Sequence, residues 1–205
     1  FILAWIDLRA LPARIPAWML IWIAGLSLGL LALTRPLTAL AVGLPFFIEG
    51  LVTLIRGPKS IRGRILSVGI IALLLSAALF LWQYAVTGDP LLNPYTLWWS
   101  YDRIGFGPGI GVQEGGHNLL WARSSTRFSL RAGLSDLFGW GRISWLFAPF
   151  GLIALRRTRP AWAVLAVAPS LILLYMLYWI GSWVFGPRYY FEGLISLTVA
   201  SAAGI

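Results

Sequence analysis

The sequence predicts an all-α protein: a polytopic transmembrane helix bundle of about six spans with a long, partly helical extracytoplasmic loop. Two observations lead to this class. The 205 residues are 59% hydrophobic and only 11% charged, whereas soluble domains carry about 25% charged residues. The 12 Trp and 7 Tyr suit the headgroup region of a bilayer, which favours rings with one apolar and one polar end.

Six apolar segments approach the roughly 20 residues that a spanning helix needs. The first two are joined by Thr34-Arg35-Pro36, a tight reversal in which proline suits the first turn of the second helix. The fourth segment is short, and residues 136–141 are expected to extend it so that it can cross the bilayer. The chain begins at Phe1 and its last span stops at Ile205, so we expect a piece of a longer protein. The predicted spans, in a single domain, are 17–33, 37–55, 65–86, 143–155, 161–183 and 190–205.

The basic residues predict the orientation of these spans. One cluster lies at 56–64 and another at 156–159, with an even number of crossings between them, and Arg9 and Arg14 fall on the same face. Connectors rich in Lys and Arg face the cytoplasm. We therefore expect 56–64 and 156–159 to be cytoplasmic and the loop 87–142 to be extracytoplasmic, in a plasma (inner) membrane.

Composition also limits the function classes. There is no Cys, and His117 is the single His, so no metal site is expected and no cofactor is predicted. The net charge of +9 is accounted for by the cytoplasmic connectors, so the expected partner is membrane lipid and not nucleic acid.

The loop 87–142 is too long for a simple connector and too apolar for a disordered segment. Its glycines between Gly105 and Gly116 permit close approach of a ligand, and its candidate binding residues are Asp102, Arg103, Glu114 and His117. The phosphate-binding patterns of nucleotide enzymes are absent. A compact glycine-rich loop packed on the membrane surface remains the alternative.

A helix is expected from Asn118 to about Phe138, with Arg123, Arg127 and Arg131 in one stripe. Arginine mixed with apolar residues suits a helix lying at the lipid headgroups, and simple snorkelling is the alternative. Glu49 lies inside a predicted span and is expected to form a snorkelled ion pair with nearby basic residues.

Two further outer-face segments carry candidate residues. Arg35 lies at the turn between the first two spans, where a cation either holds a lipid phosphate or anchors the helix pair. The turn 186–192 contains Arg188, Tyr189, Tyr190 and Glu192. Tyrosine rings and hydroxyls suit sugars and phosphates, but an ordinary interfacial aromatic belt has the same composition.

Three segments resemble the bacterial members of the GT-C superfamily of membrane glycosyltransferases, of the protein O-mannosyltransferase-like and aminoarabinose-transferase-like types. They are Thr34-Arg35-Pro36-Leu37-Thr38-Ala39; the run Asn93-Pro94, Tyr101 to Gly109 and Gly116-His117; and Gly186 to Glu192. The resemblance covers about the last three-quarters of the chain. It implies transfer of a sugar from a polyprenyl-phosphate carrier to an acceptor on the outer face, with inversion at the anomeric carbon and a carboxylate as base.

The resemblance also implies roles for the candidate residues. Arg35, Arg188 and Arg103 would hold the carrier phosphate, and the tyrosines would line the cleft. Asp102, Glu114, His117 and Glu192 would bind the sugar or the acceptor. The family's catalytic acid lies in a first outer loop, whereas Asp7 precedes the first span on the cytoplasmic side. We therefore expect the base to lie outside this chain, and the chain alone to be inactive.

Two alternatives from other classes stay open. A membrane transporter or lipid flippase would place polar or broken helices near the bilayer midplane, and the predicted spans hold few polar residues beyond Glu49 and Gln83. A non-catalytic membrane scaffold would tolerate loss of Arg35 or Arg188. The sugar, the acceptor and the oligomeric state are not indicated by the sequence.

Overall fold

The computed structural model describes residues 1–10, 15–136, 141–158, 161–180 and 188–205. Over these ranges the chain is all-helical and contains no β-strand. It divides into two compact units, Phe1–Leu91 and Leu92–Ile205, and each is described by itself. Several residues used in the sequence predictions lie outside the described ranges: Arg14, Phe138, Arg159, the end of the fifth span at 181–183, and the turn residues Gly186 and Pro187.

The first unit consists, where it is described, of helices α1 (Ile2–Arg9), α2 (Ala17–Thr34), α3 (Pro36–Arg56) and α4 (Lys59–Thr87). By length and composition, α2, α3 and α4 could each cross a membrane. They coincide with the first three predicted spans, and their length and composition suggest a membrane protein. At the predicted reversal, α2 passes to α3 through Arg35 alone: its amide donates to the Leu31 carbonyl (2.7 Å), and its carbonyl accepts from Ala39 (2.9 Å).

The helix that carries the third predicted span starts before that span. The span is predicted from Ile65 and the helix begins at Lys59, so the basic residues of 59–64 are helical. Arg62 reaches back to the end of α3, where its Nε donates to the Gly57 carbonyl (2.8 Å) and its Nη2 to that of Ile55 (3.1 Å). These bonds satisfy carbonyls that a helix end leaves open, so only Gly57-Pro58 is needed to link the two helices.

Two glycines set the packing of α2 against α4. A Cβ added at Gly25 would lie 2.7 Å from Ile71 Cβ, and one at Gly29 would lie 2.8 Å from Leu75 Cβ. Small residues four apart let two helix backbones approach closely, which is a common way for helices to associate in lipid. The Gly25-x-x-x-Gly29 spacing therefore gives α2 a flat face for α4.

Helix α1 was not anticipated from the sequence, and it provides the partners of Glu49. Glu49 is 8% exposed; it forms an ion pair with Arg9 and accepts a hydrogen bond from Trp5 Nε1 (2.9 Å). Burial lowers the pKa of Arg9 from its ordinary value, and pairing with Glu49 offsets that desolvation. The expected ion pair is present, with a partner from the N-terminal helix rather than from the cluster 56–64.

The second unit contains shorter helices. They are α5 (Tyr95–Trp98), α6 (Leu119–Asp136), α7 (Ala148–Leu155), α8 (Ala161–Leu165), α9 (Val167–Tyr175) and α10 (Leu194–Gly204), with 3-10 turns at Gly141–Ile143 and Arg188–Gly193. α6 coincides with the helix expected after Asn118. α7 to α10 have 5 to 11 residues each, fewer than the roughly 20 of a spanning helix. The last three predicted spans are therefore not confirmed.

The predicted span 161–183 is broken near Ala166. Pro169 has no N–H to give to the Leu165 carbonyl, and its ring conflicts with that carbonyl, so the helix is interrupted. Ser196 of α10 compensates: its hydroxyl donates to the Val164 carbonyl (2.6 Å) and accepts from the Ala168 amide (3.1 Å). The break is thus a satisfied structural feature of the packing between α8, α9 and α10.

Candidate functional site

The glycine-rich segment 101–118 folds back on itself through backbone hydrogen bonds. The Gly107 amide donates to the His117 carbonyl (2.8 Å), and the His117 amide donates to that of Ile110 (2.7 Å). Gly116 has a φ of +79°, and a Cβ there would overlap the Gly107 carbonyl. Only glycine combines that left-handed conformation with so close an approach of two backbones. The glycine density therefore builds a compact loop, as the structural alternative predicted.

This loop is attached to the chain just after α9. The Gly105 amide donates to the Leu177 carbonyl (2.8 Å), and Ile104 and Tyr178 form an isolated antiparallel bridge. His117 is fully buried, stacks on Phe106 with ring centroids 5.1 Å apart, and has Nε2 at 2.9 Å from the Met176 carbonyl. Because a carbonyl only accepts, Nε2 carries the proton. The structure gives His117 the role of fastening the loop.

Asp102 lies where the loop meets this segment, and it accepts two hydrogen bonds on one oxygen. The Tyr178 hydroxyl donates to Oδ1 at 3.0 Å, and Trp179 Nε1 donates to the same atom at 2.8 Å. Tyr101 adds a ring contact, edge-on to Trp179 with centroids 5.4 Å apart. Asp102 is thus held by two neutral donors from a segment 76 and 77 residues away in sequence.

Arg188 and Tyr189 lie on the far side of Tyr178 from Asp102. Arg188 Nη2 donates to the Tyr189 hydroxyl (2.7 Å), and its Cζ lies 4.7 Å from the centroid of that ring. Tyr189 stacks on Tyr175 with centroids 5.0 Å apart, and its ring meets that of Tyr178 edge-on with centroids 5.5 Å apart.

The result is a connected group of side chains, which we call the Arg188–Asp102 relay: Arg188, Tyr189, Tyr178, Asp102 and Trp179. Every member is within the second unit. Hydrogen bonds join Arg188 to Tyr189 and join Tyr178 and Trp179 to Asp102, and the edge-on contact of the two tyrosine rings connects the two parts. The relay begins at a cation and ends at a carboxylate, with aromatic faces along its length.

Three of these five residues were predicted from the sequence. Tyr178 and Trp179 were not, because they fall inside a predicted apolar span and aromatic residues there are typical of the membrane interface. The signal that could have found them is the pair itself: Tyr and Trp each carry a polar atom that needs a partner when buried.

The other predicted site residues lie elsewhere or outside the relay. Arg103 and Glu114 are exposed on the glycine-rich loop. Tyr190 and Glu192 are both half-buried in the 3-10 turn Arg188–Gly193. Arg35 is exposed at the α2–α3 turn of the first unit.

The chemistry of the relay favours polar organic ligands over metal ions. Among the described residues, no group of three or more His, Cys, Asp or Glu side chains could hold a metal ion. A guanidinium recognises phosphate and carboxylate oxygens, and tyrosine rings offer flat apolar faces beside hydroxyl groups. Compared with protein-family models, with curated proteins and with solved structures, the chain matches none of them.

Proposed function

We propose that this chain is part of an integral membrane glycosyltransferase, which moves a sugar from a polyprenyl-phosphate carrier to an acceptor on the outer face of the membrane. Support comes from the relay. Arg188 and Asp102 are 86 positions apart in sequence, yet Arg188 bonds to Tyr189, Tyr189 packs edge-on against Tyr178, and Tyr178 bonds to Asp102. A cation and a carboxylate linked through phenols can recognise the two parts of such a donor, its phosphate and its sugar.

The proposed role of Arg188 is to hold the carrier phosphate. Nη2 donates to the Tyr189 hydroxyl, and a planar guanidinium matches the geometry of phosphate oxygens. When the glycosidic bond breaks, negative charge builds on the leaving phosphate, and a preorganised cation stabilises that charge. In this proposal Tyr189 fixes the orientation of Arg188, so the guanidinium does not have to be ordered during the reaction.

The finer assignments complete the proposal. The six spans, the cytoplasmic position of 56–64 and 156–159 and the extracytoplasmic position of 87–142 follow the positive-inside rule. Arg35 and Arg103 would contact the carrier phosphate, and Glu114, Tyr190 and Glu192 would contact sugar or acceptor. The catalytic base is proposed to come from a part of the protein outside this chain.

One observation favours a second candidate, a transporter or lipid flippase. The break between α8 and α9 resembles the discontinuous helices that many transporters use to bind substrate. At this break, however, Ser196 satisfies the Val164 carbonyl and the Ala168 amide. Backbone groups that already have a partner are less suited to coordinating cargo, so we place the transferase first.

The test uses the full-length protein, purified and reconstituted in liposomes with radiolabelled polyprenyl-phosphate pentose or hexose. The measurement is loss of label from the lipid and its appearance in an acceptor. We expect the wild type to transfer sugar and Arg188→Ala to lose about 100-fold or more in rate, because a transition-state contact is removed. Arg142→Ala, an exposed arginine of the same unit, is the matched control and should keep full rate.

The outcomes separate the candidates. Movement of labelled lipid between leaflets without transfer would favour the flippase. No transfer and no movement would favour a scaffold. Transfer at the wild-type rate by Arg188→Ala would contradict the role given to the relay.

A further inference from the structure

Helix α6 has a buried face made of small residues. Ala122 and Ser129 are each 1% exposed, and Gly133, on the same face of the helix, is also buried. Trp145 Nε1 donates to the Gly133 carbonyl (3.1 Å), and Asn118 Oδ1 caps the first turn by accepting from the Leu120 and Trp121 amides (3.0 and 3.1 Å). These contacts fix the rotation of α6 about its own axis.

That rotation turns a basic stripe outward. Arg123, Arg127 and Arg131 are all exposed; at 100° per residue they share an arc of about 80°, centred roughly 140° from the buried face. Leu120, 79% exposed, lies on the same arc. Between Leu119 and Ser135 the helix has no acidic residue. The positive charges of the three arginines are therefore not neutralised by a carboxylate within this part of α6.

We propose that this face, called here the α6 arginine face, binds the phosphate groups of anionic phospholipids in the membrane that the chain itself crosses. The proposal concerns bulk lipid and a surface apart from the relay, so it is independent of the transferase.

Charge complementarity is the first argument. Three guanidinium groups spaced one helical turn apart, about 6 Å, match a surface of separate phosphates better than they match one small anion. Each Lys or Arg near an anionic leaflet adds to the electrostatic attraction between protein and membrane. One guanidinium group can also bind two oxygens of the same phosphate.

The apolar neighbours of the stripe are the second argument. Leu120 (exposed) and Leu134 (half-buried) lie on the same arc as the arginines, and Phe128 (52% exposed) lies about 60° beyond its edge. Apolar and cationic side chains on one exposed face suit the boundary between headgroups and acyl chains. A soluble polyanion would satisfy the arginines and leave these apolar groups in water.

The test is native mass spectrometry of the full-length protein in detergent, titrated with dioleoyl phosphatidylglycerol or with dioleoyl phosphatidylcholine. The variant carries Arg123→Gln, Arg127→Gln and Arg131→Gln. The matched control carries Arg142→Gln, Arg156→Gln and Arg157→Gln, which removes three exposed charges from the same unit. Circular dichroism establishes that both triple variants are folded.

We expect the wild type to bind phosphatidylglycerol over phosphatidylcholine, the variant to bind it roughly 10- to 100-fold more weakly, and the control to bind like the wild type. Snorkelling alone predicts no headgroup preference, and that result would overturn the proposal. Equal losses of phosphatidylglycerol binding in variant and control would also overturn it, because they would indicate an effect of net charge only. Displacement of the lipid by single-stranded RNA or polyglutamate, at equal phosphate or carboxylate concentration, would overturn it as well. Sugar transfer is measured separately, so failure here does not depend on the transferase.

Discussion

Asp102 joins the glycine-rich loop to the segment after α9 through hydrogen bonds from neutral groups. The Tyr178 hydroxyl and the Trp179 indole both donate to its Oδ1. Hydrogen bonds to an ionised acceptor are stronger than those between neutral groups. Asp102 therefore fixes the segment after α9, where Tyr178 packs edge-on against Tyr189, the hydrogen-bond partner of Arg188.

Substitution of Asp102 tests this role. Asp102→Ala leaves the Tyr178 and Trp179 donors without their acceptor, and we expect the free energy of unfolding to fall by about 1–3 kcal/mol. Asp102→Asn keeps an oxygen in place without the charge, so a smaller loss is expected. The measurement is the thermal unfolding midpoint in detergent, followed by tryptophan fluorescence.

Glu114→Ala is the control for Asp102, since Glu114 is an exposed carboxylate on the same loop. It should change stability by no more than about 0.5 kcal/mol. Equal midpoints for wild type and Asp102→Ala would show that the two hydrogen bonds do not hold the loop in place.

At the scale of elements, the packing of α2 on α4 depends on the absence of side chains at two positions. Gly25 and Gly29 face Ile71 and Leu75, and an added Cβ would come within 3 Å of each. A helix made almost entirely of apolar residues has no polar face to set its rotation in lipid. Close glycine contacts supply that information instead.

Gly25→Ala and Gly69→Ala form a matched pair of substitutions. Both add one methyl group to an apolar helix, but a Cβ at Gly69 meets nothing within 4 Å. We expect Gly25→Ala to destabilise by about 1–3 kcal/mol through overpacking. Gly69→Ala should be neutral, or more stable by up to about 1 kcal/mol from helix propensity. Unfolding midpoints in detergent compare them, and a Gly25→Ala protein as stable as Gly69→Ala would contradict the observed α2–α4 contact.

At the scale of the whole molecule, long apolar runs made the first three helices predictable, because length and composition decide such helices locally. The contact that brings the start of α4 close to the end of α3 has no local signal, because Arg62 makes it through its side chain, between elements. Likewise Pro169 sits in an apolar run whose composition resembles a span, and its effect on the helix depends on Ser196 from another element. Contacts distant in sequence have no local pattern.

The candidate site follows the same rule. Asp102, Arg188 and Tyr189 were predictable because charged and turn residues stand out in an apolar chain. Tyr178 and Trp179 were not, because nothing local separates a bridging tyrosine from an interfacial one. His117 was predicted as a binding residue; its buried position against Phe106 and Met176 depends on how the loop folds back.

We propose that the chain crosses a membrane with the loop 87–142 on the outer face, and cysteine labelling tests this topology most directly. The chain has no Cys, so single exposed positions can be changed one at a time: Val112→Cys in the loop, and Ser60→Cys and Thr158→Cys near the two basic clusters. Intact cells expressing the full-length protein are treated with a membrane-impermeant maleimide. We predict labelling of Val112→Cys in intact cells, and of the other two variants only after permeabilisation. Labelling of all three in intact cells, or of Val112→Cys only after permeabilisation, would contradict the account.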